Sequence, residues 1–76
     1  MCELELMEIF AGNLRTTMEY AHISQAELAR ETNLSEATIS RYLAGERLPN
    51  CKAIINLCHV LCCDLDDLLP TYEIIE

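Results

Sequence analysis

Apolar residues recur along the chain at helical spacing. Leu6, Phe10, Leu14 and Thr17 fall on one face of a helix predicted from about Leu4 to Ala21, with Met18 and Ala21 beside them. Leu28, Ala29 and Thr32 repeat the pattern over Gln25 to Thr32, and Ile39, Tyr42 and Leu43 over about Glu36 to Ala44. Ile54, Leu57, Cys58 and Leu61 mark a fourth helix, about Cys51 to Leu61, and "LDDLL", Leu65 to Leu69, a brief fifth. No period-two alternation appears before residue 70, and the chain holds only 2 Gly and 2 Pro. This pattern predicts an all-α domain with tight connections.

The polar residues between these stripes supply starts and stops. "SQAE", Ser24 to Glu27, is a capping box: the Ser hydroxyl accepts a free amide while the Glu carboxylate reaches back to the Ser amide. Ser35 and Asp64 stand where N-caps of the third and fifth helices belong. His22 and Asn33 tolerate a left-handed backbone and end the first two helices, and Gly45 ends the third. "GERLPN" is a loop, and Pro70 stops the last helix. Only Asn33 to Ser35 separate the second and third helices. So short a link between two capped helices forces a sharp corner, a helix-turn-helix at about 24–44, with Ala29 small enough to let the two helices approach.

In order and spacing, Ser24-Gln25, Ala29, Asn33, Ser35, Ile39-Ser40-Arg41, Gly45 to Pro49, Ile54 to Leu61 and Leu65 to Leu69 resemble the Cro/CI-type helix-turn-helix regulators, the XRE family. The resemblance spans about residues 10–70. Each piece alone is weak, whereas the ordered set is specific. It implies a five-helix bundle of the lambda-repressor-like DNA-binding type. It also implies that the helix over 36–44 enters the major groove. By that resemblance Glu36, Ala37, Thr38, Ser40 and Arg41 are the expected base contacts. Arg41 could bind guanine O6 and N7 bidentately, Glu36 could accept from a cytosine amino group, and Ala37 and Thr38 could touch a thymine methyl. Gln25, Ser35, Arg47 and Lys52 are the expected phosphate contacts, which position a protein on DNA and carry little sequence information.

Two positions depart from the family pattern. Many relatives pair an Arg late in the first helix with a Glu late in the third. Met18 and Leu43 stand there here, so an apolar contact is expected instead. Cys62 stands where relatives often place a helix-ending Gly, which predicts a strained corner.

Charge sharpens the functional question. The chain has 76 residues and a net charge of −8, which by itself disfavours a nucleic-acid partner. Yet all five cations (Arg15, Arg30, Arg41, Arg47 and Lys52) lie in the middle, and the flanks are purely acidic: Glu3, Glu5 and Glu8 before, Asp64, Asp66, Asp67, Glu73 and Glu76 after. So few cations predict modest protomer affinity and a shallow salt dependence, which binding as a homodimer to two half-sites would offset. Arg30 is expected to pair with Glu27 or Glu31, or to meet phosphate only weakly.

The 5 cysteines are odd in number, three of them crowded in "CHVLCC". No basic leader or cleavage-like site opens the sequence, so reduced thiols and a cytoplasmic location are expected. Cys58 falls on an apolar helix face and is read as packing, with metal binding or redox sensing by Cys58, His59, Cys62 and Cys63 as the alternative; the separated ligand pairs of zinc sites are missing. No nucleophile–base constellation suggests an enzyme. Nor is a cofactor, a small-molecule ligand or a membrane span expected.

Length predicts one domain over 1–76 with a short tail, 71–76, whose "YEIIE" could fold onto the first helix or pair in a dimer. The leading expectation is a sequence-specific double-stranded DNA-binding regulator, a repressor. The alternative is an acidic protein-interaction module, antitoxin-like or anti-repressor, that reuses the fold.

Overall fold

The computed structural model describes residues 2–69. Within them the chain forms α1 (Glu3–Ala21), α2 (Gln25–Thr32), α3 (Glu36–Leu43), α4 (Cys51–Leu61) and α5 (Leu65–Leu68), with no strand among the described residues. The all-α expectation holds, and each predicted boundary is met to within one residue. Ala44 and Leu69, expected inside α3 and α5, stand instead as their C-caps. Pro70, expected to stop α5, and the tail over 71–76 lie outside the described residues.

α1 is the long element around which the others gather. It packs against α3, α4 and α5; α2 packs on α3 and α4, and α5 closes against α4. The core is built from Phe10, Leu14 and Met18 of α1, Leu28 and Ala29 of α2, Ile39 and Tyr42 of α3, Leu57 and Leu61 of α4, and Leu68 of α5. Phe10 and Tyr42 meet edge-to-face, ring centroids 5.6 Å apart and planes at 80°, the arrangement that ring quadrupoles favour. Asn13 Nδ2 donates to the Leu68 carbonyl at 3.0 Å, tying α1 to the end of α5.

The α1 stripe differs from expectation in detail. Ala11 is buried and Ala21 exposed. Ala21 opens onto a groove between α1 and the α4–α5 corner, so the covered stripe ends at Met18. Ala53 is also buried on α4, a small residue where α2 lies close.

The helix ends explain how short elements hold so tight a bundle. Ser24 accepts from the Glu27 amide and Glu27 returns a bond to the Ser24 amide, completing the capping box. At the other ends, four helices close with one pattern. The amides of Ile23, Leu34, Glu46 and Cys63 donate back to the carbonyls of Met18, Ala29, Arg41 and Cys58, while those of His22, Asn33, Gly45 and Cys62 close the shorter inner bond. Each pattern needs one left-handed residue. His22 (φ 54°), Asn33 (φ 62°), Gly45 (φ 73°) and Cys62 (φ 53°) fill those positions. At Cys62 a β-carbon is forced into a region where glycine would sit freely, a strain of about 1 kcal/mol. Among the described residues no helix is long and apolar enough to cross a membrane.

Candidate nucleic-acid interface

α3 is short, so its stability comes from its attachments rather than its propensity. Ser35 Oγ accepts from the Thr38 amide at 3.1 Å and shares a 2.8 Å hydroxyl–hydroxyl bond with Thr38. Gln25 Nε2, from the first turn of α2, donates to the Glu36 carbonyl at 3.2 Å. Ile39 and Tyr42 are buried against α1 and α2. Arg15 of α1 donates through Nη2 to the Leu43 carbonyl at 3.3 Å. A cation there also suits the negative end of the helix dipole.

That last bond refines the expectation for Met18 and Leu43. Met18 is buried, Leu43 half-buried, and both border one groove with Arg15. The polar link between α1 and the end of α3 therefore runs from Arg15, one turn earlier, to a backbone carbonyl. No sequence pattern pointed to Arg15, because its partner lies 28 residues away and is main chain.

With Ile39 and Tyr42 inward, α3 turns Glu36, Ala37, Ser40, Arg41 and Ala44 to solvent, while Thr38 is half-buried at the edge. Among the described residues no hydrogen bond engages the side chain of Glu36, Ser40 or Arg41. Beside this face lies a groove lined in part by Thr38, Tyr42, Arg47, Asn50, Lys52 and Asn56. The structure thus brings Arg47 and Lys52 together with Thr38, although they come from the loop and from α4. Gln25 and Ser35 stand nearby with part of their hydrogen-bonding capacity already spent on α3 itself. Asn50 belongs to the loop expected over "GERLPN". Its Oδ1 accepts from the Ala53 amide at 2.8 Å and so caps α4 beside Lys52. Asn at the residue before a helix was the available signal.

The electrostatics follow from these placements. The Ser24 hydroxyl and then its amide hold the Glu27 carboxyl below its ordinary value, with a weaker pull from Arg30. Arg30 thus acts on Glu27 only as a minor contributor. Burial pushes the Tyr42 hydroxyl up, and the nearby Arg47 charge opposes that shift. Among the described residues no three His, Cys, Asp or Glu side chains converge to hold a metal ion.

Two capped helices meeting at a left-handed Asn corner, the second with a polar outward face, form a helix-turn-helix. A sequence model of the Cro/C1-type helix-turn-helix DNA-binding domain matches residues 13–73. The chain belongs to that family. Among curated proteins none matches the sequence significantly. Among solved structures, this Cro/C1-type domain is similar to the SOS-response transcriptional repressor LexA from Eubacterium rectale, with a TM-score of 0.80 and 22% identity over 86% of this chain and 69% of that one. The clp gene regulator ClgR from Corynebacterium glutamicum matches with a TM-score of 0.78 and 22% identity over 83% of this chain and 67% of that one. A second structure of ClgR gives 0.76 and 22% over 83% of this chain and 82% of that one. At such identity these likenesses establish the shared helical fold. Family membership makes residues 13–73 a helix-turn-helix DNA-binding domain.

Proposed function

We propose that the protein is a sequence-specific double-stranded DNA-binding transcriptional regulator, acting as a repressor, that lays residues 36–44 in the major groove. The observation that carries this reading is the outward face of α3. Backbone and side-chain bonds fix the helix at both ends, yet Glu36, Ala37, Ser40 and Arg41 face solvent. A surface held rigid but left free inside the molecule suits base-edge readout. Arg41 takes a guanine, Glu36 a cytosine amino group, and Ala37 and Thr38 a thymine methyl, while Ser40 hydrogen-bonds a neighbouring base. Arg47 and Lys52 meet phosphates on the flank, and Gln25 and Ser35 meet them at the helix starts, where free amides favour anions. A homodimer spaced by one DNA turn, about 34 Å, joins two such half-sites.

Selection from random duplexes at low salt tests this. Enrichment of one motif that Arg41→Ala loses supports it. A second reading, an acidic protein-interaction module, draws on the net charge of −8. It prevails if no motif is enriched and a defined protein partner binds the same chain through residues that Arg41→Ala leaves intact.

A further inference from the structure

We propose that Cys58 and Cys63 are a redox modification site, a thiol pair that closes into an intrachain disulfide across the C-terminal corner of α4. The corner itself sets the pair. The Cys63 amide donates to the Cys58 carbonyl at 3.0 Å and the Cys62 amide to the His59 carbonyl at 3.3 Å. In such a helix end the side chains at the two ends of the outer bond meet over the turn. At the α1 and α2 corners those positions hold Met18 with Ile23 and Ala29 with Leu34, apolar pairs. At the α4 corner both are cysteine. The two thiols stand close enough to act on each other's ionisation, and both are half-buried against the core.

The neighbouring thiol does not compete. Cys62 is exposed in the left-handed residue of the corner, and its Sγ faces the His59 carbonyl at 3.8 Å. Bonding it to adjacent Cys63 would close a small strained ring. Cys2 and Cys51 lie on other elements and are exposed. Burial keeps the pair protonated. It pushes Cys63 up to about 12, with Cys58, Asp67 and Asp64 adding to the effect, and it pushes Cys58 up as well. The thiolate is the nucleophile, so at neutral pH the pair reacts slowly and answers sustained rather than brief oxidant.

With hydrogen peroxide the step balances. One sulfur attacks peroxide, the O–O bond breaks, and a sulfenic acid and water form. The second sulfur attacks that sulfenic sulfur, the S–O bond breaks, and a second water leaves. The two thiols lose two electrons and two protons in all, and the peroxide is reduced to two waters. The new bond closes the corner covalently and removes open conformations from the unfolded chain.

The test is mild peroxide treatment of the folded full chain, followed by peptide mapping. A Cys58–Cys63 cross-link, with loss of two hydrogens and a rise in thermal midpoint of roughly 5 °C reversed by dithiothreitol, is the expected result. Cys58→Ala and Cys63→Ser should each abolish the cross-link, whereas Cys62→Gly should keep it. A link that maps to Cys62, survives Cys58→Ala, forms with the same selectivity in denaturant, or leaves the midpoint unchanged overturns the proposal. So does conversion of the pair to sulfinic acids with no link formed.

Discussion

Arg41 is the single cation on the outward face of α3, and in the proposed major-groove reading it supplies most of the base discrimination. Arg41→Ala should therefore cost about 1–3 kcal/mol of specific affinity and relax one position of the site, measured by titrating the selected duplex and its single-base variants. Cys62 illustrates a different kind of residue effect. At φ 53° its β-carbon strains the backbone, and its thiol makes only a long contact to the His59 carbonyl. Cys62→Gly should stabilise the fold by up to about 0.5 kcal/mol, the left-handed strain relieved less the greater entropy of unfolded glycine, read from the urea midpoint. Glu27 gives a pH handle. Its carboxyl is depressed in the folded state, so its contribution is present above the ordinary carboxylate value near 4.5 and fades as pH falls below it. Glu27→Gln keeps an acceptor for the Ser24 amide and should flatten the loss of stability below pH 4.5. These residues were legible to unequal degrees. Arg41, Glu27 and Cys62 act within one helix or one turn, so spacing exposed them. Arg15 binds a carbonyl far along the chain, and no local pattern could reveal it.

At the scale of the element, caps decide whether the shorter helices form at all. Ser24, Ser35 and Asn50 each accept a backbone amide at the start of α2, α3 and α4. Replacing any one by Ala should cost about 1 kcal/mol of unfolding free energy, seen in chemical denaturation. Ser35→Ala should do more. It also removes the hydroxyl partner of Thr38, loosening the turn that carries Glu36 and Ala37, so DNA affinity should fall further than stability alone explains. Helix boundaries were readable because caps and left-handed terminators are chosen by local chemistry: Ser, Asn, His and Gly at those positions say where a helix can begin or end. The α1 stripe was less readable. Its face was set by what packs over it, so Ala11 is covered and Ala21 is left on an open groove.

For the whole molecule, charge sets the terms of binding. The five cations all lie within residues 15–52 of a chain with net charge −8, and the proposed interface uses about three of them. The slope of log affinity against log salt should be roughly −3 per protomer, shallow for a DNA-binding protein, as measured by titration across salt concentrations. High pH reports on the packed interior. Cys58, Cys63 and Tyr42 all have folded values raised chiefly by burial. Their raised values favour the folded state fully below the ordinary thiol value near 9, and that advantage is lost as pH climbs toward the folded value of about 12 at Cys63. Thermal midpoint should decline through this window, and Cys63→Ala should soften the decline.

The sequence by itself determined five helices, their limits and the sharp corner at Asn33, because periodicity, capping and left-handed tolerance act over a few residues. It also marked Ser40 and Arg41 as having no core to serve. Only the tertiary structure decided how α3 is held, by Gln25 from one neighbour and Arg15 from another, and that Arg47 and Lys52 share a groove with Thr38. It alone set Cys58 against Cys63 at a corner where α1 and α2 place apolar pairs. Such relations join residues distant in the chain, or depend on one turn's backbone geometry, and neither is written in the spacing of apolar positions.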